Sequence, residues 1–168
     1  MEEVRIVRAG LERIEELEPL WKALHAQHLA VDPELPGIPM RSQDDAWERR
    51  RRLYREWLSE KDALLFTAEH QGRTIAYALA HMHEAYEGWD THGRVGVLES
   101  IAVLPEMRSR GVGRRLMSAL YAELRRLGVT VLEIGVVATN EGARRFYERQ
   151  GFHLWLIHYL GAVPGSHS

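Results

Sequence analysis

Six consecutive residues carry the most chemistry: Arg108-Ser109-Arg110-Gly111-Val112-Gly113. They follow an apolar run from Val97 to Leu104, interrupted by Glu99 and Ser100 and closed by Pro105, which offers no amide to a sheet ladder. After them Val112, Leu116, Ala119, Leu120, Leu124 and Leu127 recur at a spacing that lines one helix face. A strand, a loop and a helix start therefore meet here. Gly111 and Gly113 let main-chain amides approach a ligand with no Cβ in the way. The first amides of a helix lack internal partners and sit at the positive end of its dipole, so the stretch reads as an anion site, with phosphate the usual anion. Arg108, Arg110, Arg114 and Arg115 add charge and donors. The same residues also read as a surface turn with solvated arginines.

Two known phosphate loops do not fit. A P-loop needs Lys after its last glycine, and Arg114 stands there. A dinucleotide fingerprint needs a third glycine, and Leu116 holds that place. Arg-x-x-Gly-x-Gly after the strand Ile101-Ala102-Val103-Leu104-Pro105-Glu106 instead resembles the acyl-CoA pyrophosphate loop of the GNAT superfamily of N-acetyltransferases. Further on, Asn140-Glu141-Gly142-Ala143-Arg144-Arg145-Phe146-Tyr147-Glu148-Arg149-Gln150-Gly151-Phe152 resembles that family's second signature. The resemblance is specific over Val97 to Phe152 and rests on element order before that.

Composition is consistent with this. At 168 residues one domain is the default, with 168 residues enough for a substantial core. A net charge of -2 argues against nucleic acid or an anionic membrane as partner. Yet six arginines against Glu106 and Glu123 leave the stretch from Pro105 to Arg126 locally basic, which suits a polyanionic ligand. With no cysteine there is no disulfide framework, thiol nucleophile or thiolate metal site. The N-terminus is acidic and unlike a signal peptide, and no apolar run is long enough to span a membrane, so a cytoplasmic protein is expected.

The elements that must position the loop follow in order. Val4 to Arg8 alternates as a short strand, and Leu11 to His28 is helical, with His25 and His28 at its end. The proline-rich stretch from Val31 to Met40 is a loop. Gln43 to Ser59 is a second helix, with Trp47, Tyr54 and Leu58 on one face and Arg49 to Arg52 as a solvated run. Ala63 to His70 and Thr74 to Tyr86 form a hairpin about Gln71-Gly72. His81 and His83 share a face of that second strand, but no third metal ligand accompanies them, and no metal is expected. Thr130 to Val137 and Phe152 to Leu160 read as strands, and 161–168 as a loose tail.

The resemblance implies an α/β (α+β) GNAT fold: a mixed, mostly antiparallel central sheet of six to seven strands, flanked by helices and splayed at an acyl-CoA wedge. It implies acetyl-CoA as co-substrate, with no metal, and direct transfer of the acetyl group to a primary amine in a ternary complex. Ile101, Ala102 and Val103 would meet the acetyl and pantetheine groups by their main chain. Arg108, Ser109, Arg110, Gly111, Val112, Gly113 and Arg114 would hold the pyrophosphate, with Asn140, Ala143 and Phe146 along the pantetheine. Tyr147 would stand near the sulfur. An amine with a pKa of ~10.4 costs about 4–5 kcal/mol to deprotonate at pH 7, so a base is useful. Glu99 is the candidate, its pKa expected to rise in apolar surroundings, acting directly or through water; orienting the ammonium is its other reading. His28, Trp47 and Tyr86 are the candidate acceptor contacts, and His81 also falls on that side. The acceptor is a small-molecule or protein amine, and a homodimer is compatible with the sequence. An acyl-CoA sensor or inactive relative is the alternative reading.

Overall fold

The computed structural model describes residues 3–31, 34–60 and 63–165. The chain runs β1 (Arg5–Ala9), a 3-10 segment (Leu11–Leu17), α1 (Glu18–Leu29), α2 (Gln43–Ser59), β2 (Ala63–His70), β3 (Arg73–His83), β4 (Val95–Val103), a 3-10 turn (Pro105–Met107), α3 (Val112–Arg126), β5 (Val131–Ile134) and α4 (Glu141–Glu148). The first helical region is thus two pieces. Pro19, in the first turn of α1, has no amide to extend the preceding turn and is well placed to begin a new helix. Ser42 caps α2 by accepting from the Asp45 amide at 3.2 Å, and Asp44 and Asp45 sit in its first turn, where the dipole favours them.

The five strands form one sheet in the order β1-β2-β3-β4-β5. Neighbours are antiparallel except β4 and β5, which run parallel. The expected six to seven strands are therefore corrected to five among the described residues. The missing strand is Phe152 to Leu160, which takes no regular structure. Its residue types favour a strand, but a strand exists only where another main chain answers its amides. Asp32 and Pro33 of the proline-rich loop, and 166–168 of the tail, lie outside the described residues.

The core forms where α1, α2 and α3 press apolar faces on the sheet. Leu116, Met117 and Leu120 of α3 are fully buried, as are Leu65, Ala78 and Leu79 of the hairpin. α1 and α2 contribute Leu20, Trp21, Trp47 and Tyr54.

One irregularity in β4 positions everything else. Leu79 pairs with Ser100, but Ala80 pairs with Leu98, so Glu99 is an extra residue with no opposite number on β3. A bulge of one residue reverses which side chains face which side. Before it, Gly96 faces Leu124 of α3. After it, Ile101 and Val103 lie against Gly113 of α3. Glu99 and Ser100 are consecutive, yet both reach α2, through Arg50 and Tyr54.

Tyr54 anchors that side. Its buried hydroxyl meets Ser100 Oγ at 2.5 Å and the Tyr77 hydroxyl at 3.2 Å. Tyr54→Phe leaves both partners buried without it, at a cost of about 1–3 kcal/mol. Urea unfolding should show a lower midpoint with an unchanged slope; an unchanged midpoint would mean the hydroxyl cluster holds nothing.

Candidate functional site

The parallel ladder between β4 and β5 covers Val95 to Leu98 and stops at the bulge. β4 continues to Val103, so from Glu99 onward its edge on the β5 side has no strand partner among the described residues. Main-chain groups there are open to a ligand. A cavity of about 520 Å³ fills the gap. Its floor is Glu99 to Val103, and one wall is Ile134 to Val137 with Asn140, Ala143, Phe146 and Tyr147. The other wall is Met107, Arg108, Ser109, Gly111, Val112, Gly113 and Arg114, and Leu24, Gln27 and His28 of α1 close one end.

The loop at α3 leaves main-chain amides free at the helix start. Gly111 takes φ +78° and caps the helix, a conformation costly for residues with a Cβ. The Arg115 amide makes the first helical bond, back to Gly111, so the amides just before it have no helical acceptor. Arg108 Nε donates to the Val103 carbonyl at 3.1 Å and ties the loop to the end of β4. Asn140 caps α4, its Oδ1 accepting from the Ala143 amide at 3.1 Å.

Glu99 is held from two sides. Its Oε2 accepts from Arg50 at 2.9 Å, and its Oε1 lies 2.8 Å from His81 Nε2. Burial pushes its pKa up, but the hydrogen bond from His81 and the charge of Arg50 outweigh that and hold the carboxyl below its ordinary value. The expected upward shift is thus overturned, because the surroundings include the His81 hydrogen bond and the Arg50 guanidinium as well as apolar side chains. An ionised carboxylate only accepts, so Nε2 of His81 carries the proton and donates. The His81 ring is fixed by stacking on Trp57, with centroids 4.4 Å apart.

Tyr147 has the opposite environment. Burial, and secondarily Tyr121, push its pKa well up. It is therefore neutral and a donor at working pH, and its hydroxyl makes no hydrogen bond to another described residue.

The model for the Acetyltransferase (GNAT) family matches residues 21–152. The chain belongs to this family. Mycothiol acetyltransferase from Thermobispora bispora is 31% identical over 140 residues, 83% of this GNAT chain and 44% of that protein. The chain thus spans under half the length of that relative. An uncharacterised N-acetyltransferase from Archaeoglobus fulgidus is 31% identical over 114 residues, covering 64% of this chain and 74% of that one. Among solved structures, the aminoglycoside N-acetyltransferase AAC(6')-Iy in complex with CoA superposes with TM-score 0.71 at 25% identity, over 97% of both chains.

The GNAT cavity gathers Glu99, Tyr147, His28 and every residue expected at the acyl donor except Arg110, which does not line it. Trp47 does not line it either. It is 4% exposed and packed between Trp21 and Tyr54 in the core. Tyr86 lies off the cavity, donating to Glu133 with its ring against His83 and Trp155. That hydrogen bond, with some burial, pushes its pKa up to about 12. The sequence reading missed Arg50, whose run of four arginines is not a uniformly solvated face. Arg50 turns inward to Glu99, while Arg51 pairs with Glu15 and Glu48.

A carboxylate with a depressed native pKa adds stability that is complete above its unfolded value and lost as pH falls through the native one. In Arg50→Gln, Glu99 should titrate higher, moving that loss upward in pH. Side-chain carboxyl ¹³C titration by NMR reads this directly; an unmoved Glu99 would mean the guanidinium does not set its charge.

Proposed function

We propose that this protein transfers the acetyl group of acetyl-CoA to a primary amine of a small molecule. The observation that carries the reading is the opening of β4 from β5 at Glu99, which puts an unpaired strand edge, an anion-binding helix start, an ionised carboxylate and a neutral phenol around one cavity. The named activities of the mycothiol and aminoglycoside acetyltransferases support it, both being transfers to small molecules.

The pyrophosphate is held by the amides opening α3, with Arg108 and Arg114 alongside. The pantetheine runs along the open edge of β4, and a strand amide near Ile101 or Ala102 meets the developing oxyanion. Glu99, ionised and clamped, draws the acceptor ammonium to the thioester, takes its first proton directly or through a water, and passes it to solvent. The amine lone pair forms the new N–C bond to the carbonyl carbon, whose π electrons move to oxygen. As they return, the C–S bond breaks and sulfur leaves with the pair. A CoA thiol near ~8.5 lies below a phenol near ~10, so a full transfer from tyrosine to the thiolate is uphill by about 2 kcal/mol. Burial of Tyr147 steepens this, so its hydroxyl stabilises the leaving sulfur by donating a hydrogen bond, and the second proton, lost by the nitrogen as the amide forms, ends on the thiolate. Products are the acetamide and CoA. His81 acts through Glu99 as a positioning residue.

CoA-thiol release against a panel of amino sugars and simple amines tests this. Glu99→Gln should lower kcat/KM by about 10²–10⁴-fold, the usual range for a positioned proton acceptor. Tyr147→Phe should lower kcat with acetyl-CoA affinity unchanged. In His81→Asn the loss should be partial, with the low-pH limb of the profile shifted, which a purely structural role would not move. Tight acetyl-CoA binding without turnover of any amine would overturn the transferase reading.

A loop test separates donor from acceptor. Gly111→Val places a β-branched residue at positive φ. Calorimetry should show acetyl-CoA binding weakened by tenfold or more, and unchanged affinity would move the pyrophosphate elsewhere.

A further inference from the structure

Glu99 does not meet an acceptor alone. Arg50 donates to its Oε2 at 2.9 Å, and the two side chains are 30% and 22% exposed, so carboxylate and guanidinium reach solvent as a pair. This is the one hydrogen bond that Arg50 makes to a described side chain, and its guanidinium lies over the Tyr54 ring. A guanidinium has five N–H donors, so most of them remain to be met. The pair is also fixed in place. His81 holds Oε1 of Glu99 and is stacked on Trp57, while Tyr54 beneath Arg50 is tied to Ser100 and Tyr77.

An ammonium arriving at Glu99 comes up against the charge of Arg50 beside it. The carboxylate it seeks is already compensated, and repulsion offsets attraction. An amine with its own carboxylate on the neighbouring carbon meets no such conflict. Bond lengths and angle put an α-nitrogen about 2.5 Å from its carboxylate carbon. That span fits beside a carboxylate and guanidinium 2.9 Å apart. The ammonium then faces Glu99 while its carboxylate takes the remaining donors of Arg50, in the forked geometry arginine favours.

The charges around the pair agree. Glu99 is the one carboxylate among the described residues lining the cavity, against Arg108, Arg114 and Arg149. Glu133, one strand over, accepts from Tyr86 and lies 3.6 Å from His83. An acceptor with several ammonium groups finds no second carboxylate among the described residues of the cavity, whereas an acceptor carrying an anion finds arginine.

We propose that Arg50 is a specificity residue and that the acceptor is an α-amino acid, read as a zwitterion by the Glu99–Arg50 pair. This rests on the acetyl-transfer reading and narrows its amine to one class. The α-nitrogen gains the acetyl group and gives up two protons, one to solvent through Glu99 and one to the departing thiolate. The products are an N-acetyl amino acid and CoA.

The test is CoA-thiol release with the common L-amino acids, each against its own carboxamide, which keeps the amine and side chain and removes the carboxylate. For at least one amino acid the wild-type kcat/KM should exceed that of the carboxamide by tenfold or more. Arg50→Gln should bring the two values together. Any change it makes in Glu99 acts on acid and carboxamide alike, so the ratio isolates the carboxylate contact. Arg50→Lys should keep part of the preference, having the charge without the fork. Carboxamides or amino sugars used as well as every amino acid by the wild type overturn the proposal and leave the transferase standing. So does a preference that survives Arg50→Gln intact. Calorimetry on the CoA-bound protein reads recognition without turnover. If no amine is acetylated but an amino acid binds tenfold more tightly than its carboxamide, the transferase reading fails and recognition by the pair stands; if none binds, both fall. If Arg50→Gln does not fold, the wild-type ratio and its reduction in Arg50→Lys decide the matter.

Discussion

The structure depends on a single extra residue in β4. Glu99 has no partner on β3, and its insertion has three effects at once. It reverses the strand's facing, so that Ile101 and Val103 turn to α3 while Ser100 turns to the tyrosines of the α2 side. It coincides with the end of the β4–β5 ladder, which opens the floor of the cavity. It also delivers its own carboxylate to α2, beside Ser100, where an unbroken strand would have sent one of the two to the other face.

The electrostatics complement that geometry. Glu99 and Tyr147 border one cavity and are both largely withdrawn from water, yet their titrations move apart. The difference is in the partners. Burial opposes the charge of Glu99, but Arg50 and His81 more than restore it, and Arg50 is itself held over the Tyr54 ring at 5.7 Å. Tyr147 has phenylalanine rings around it, from Phe146 and Phe152, and among the described residues no hydrogen-bond partner for its hydroxyl. One group is kept as an anion and the other as a neutral donor. Environments that push two titratable groups apart in this way fix which is ionised and which is neutral at one pH.

What was legible in the sequence follows from what is local. The stretch from Val97 to Leu124 was readable because strand period, turn glycines and helix period all lie within it. The α4 segment was readable for the same reason, with Asn140 as cap and Gly151 as stop. Arg50 was not readable. Four successive arginines point four ways on a helix, and only the docking of α2 on the bulge selects one of them. Trp47 was misplaced because an aromatic on an amphipathic face looks the same whether it lines a pocket or fills a core. The rise expected for Glu99 assumed apolar neighbours, and the groups that reverse it, His81 and Arg50, come from 18 and 49 residues away in sequence. Phe152 to Leu160 has the residues of a strand, but pairing is a property of two segments, and no local pattern shows the second.

The same opening of the sheet explains why its far edge is vulnerable. β5 is four residues long and pairs with β4 over those four alone. Extending that pairing would close the cavity between the two strands. The strand is therefore held weakly on its inner side by necessity, and its outer side is the one place left where it can be reinforced without cost to the cavity. Trp155 rests against Tyr86, which donates to Glu133 of β5. Ligand wedge and outer edge lie on opposite sides of one short strand. Whatever fixes the outer edge also fixes Ile134 and the residues through Val137 that form the cavity wall. Support at the edge and precision at the site are in this fold the same mechanical requirement.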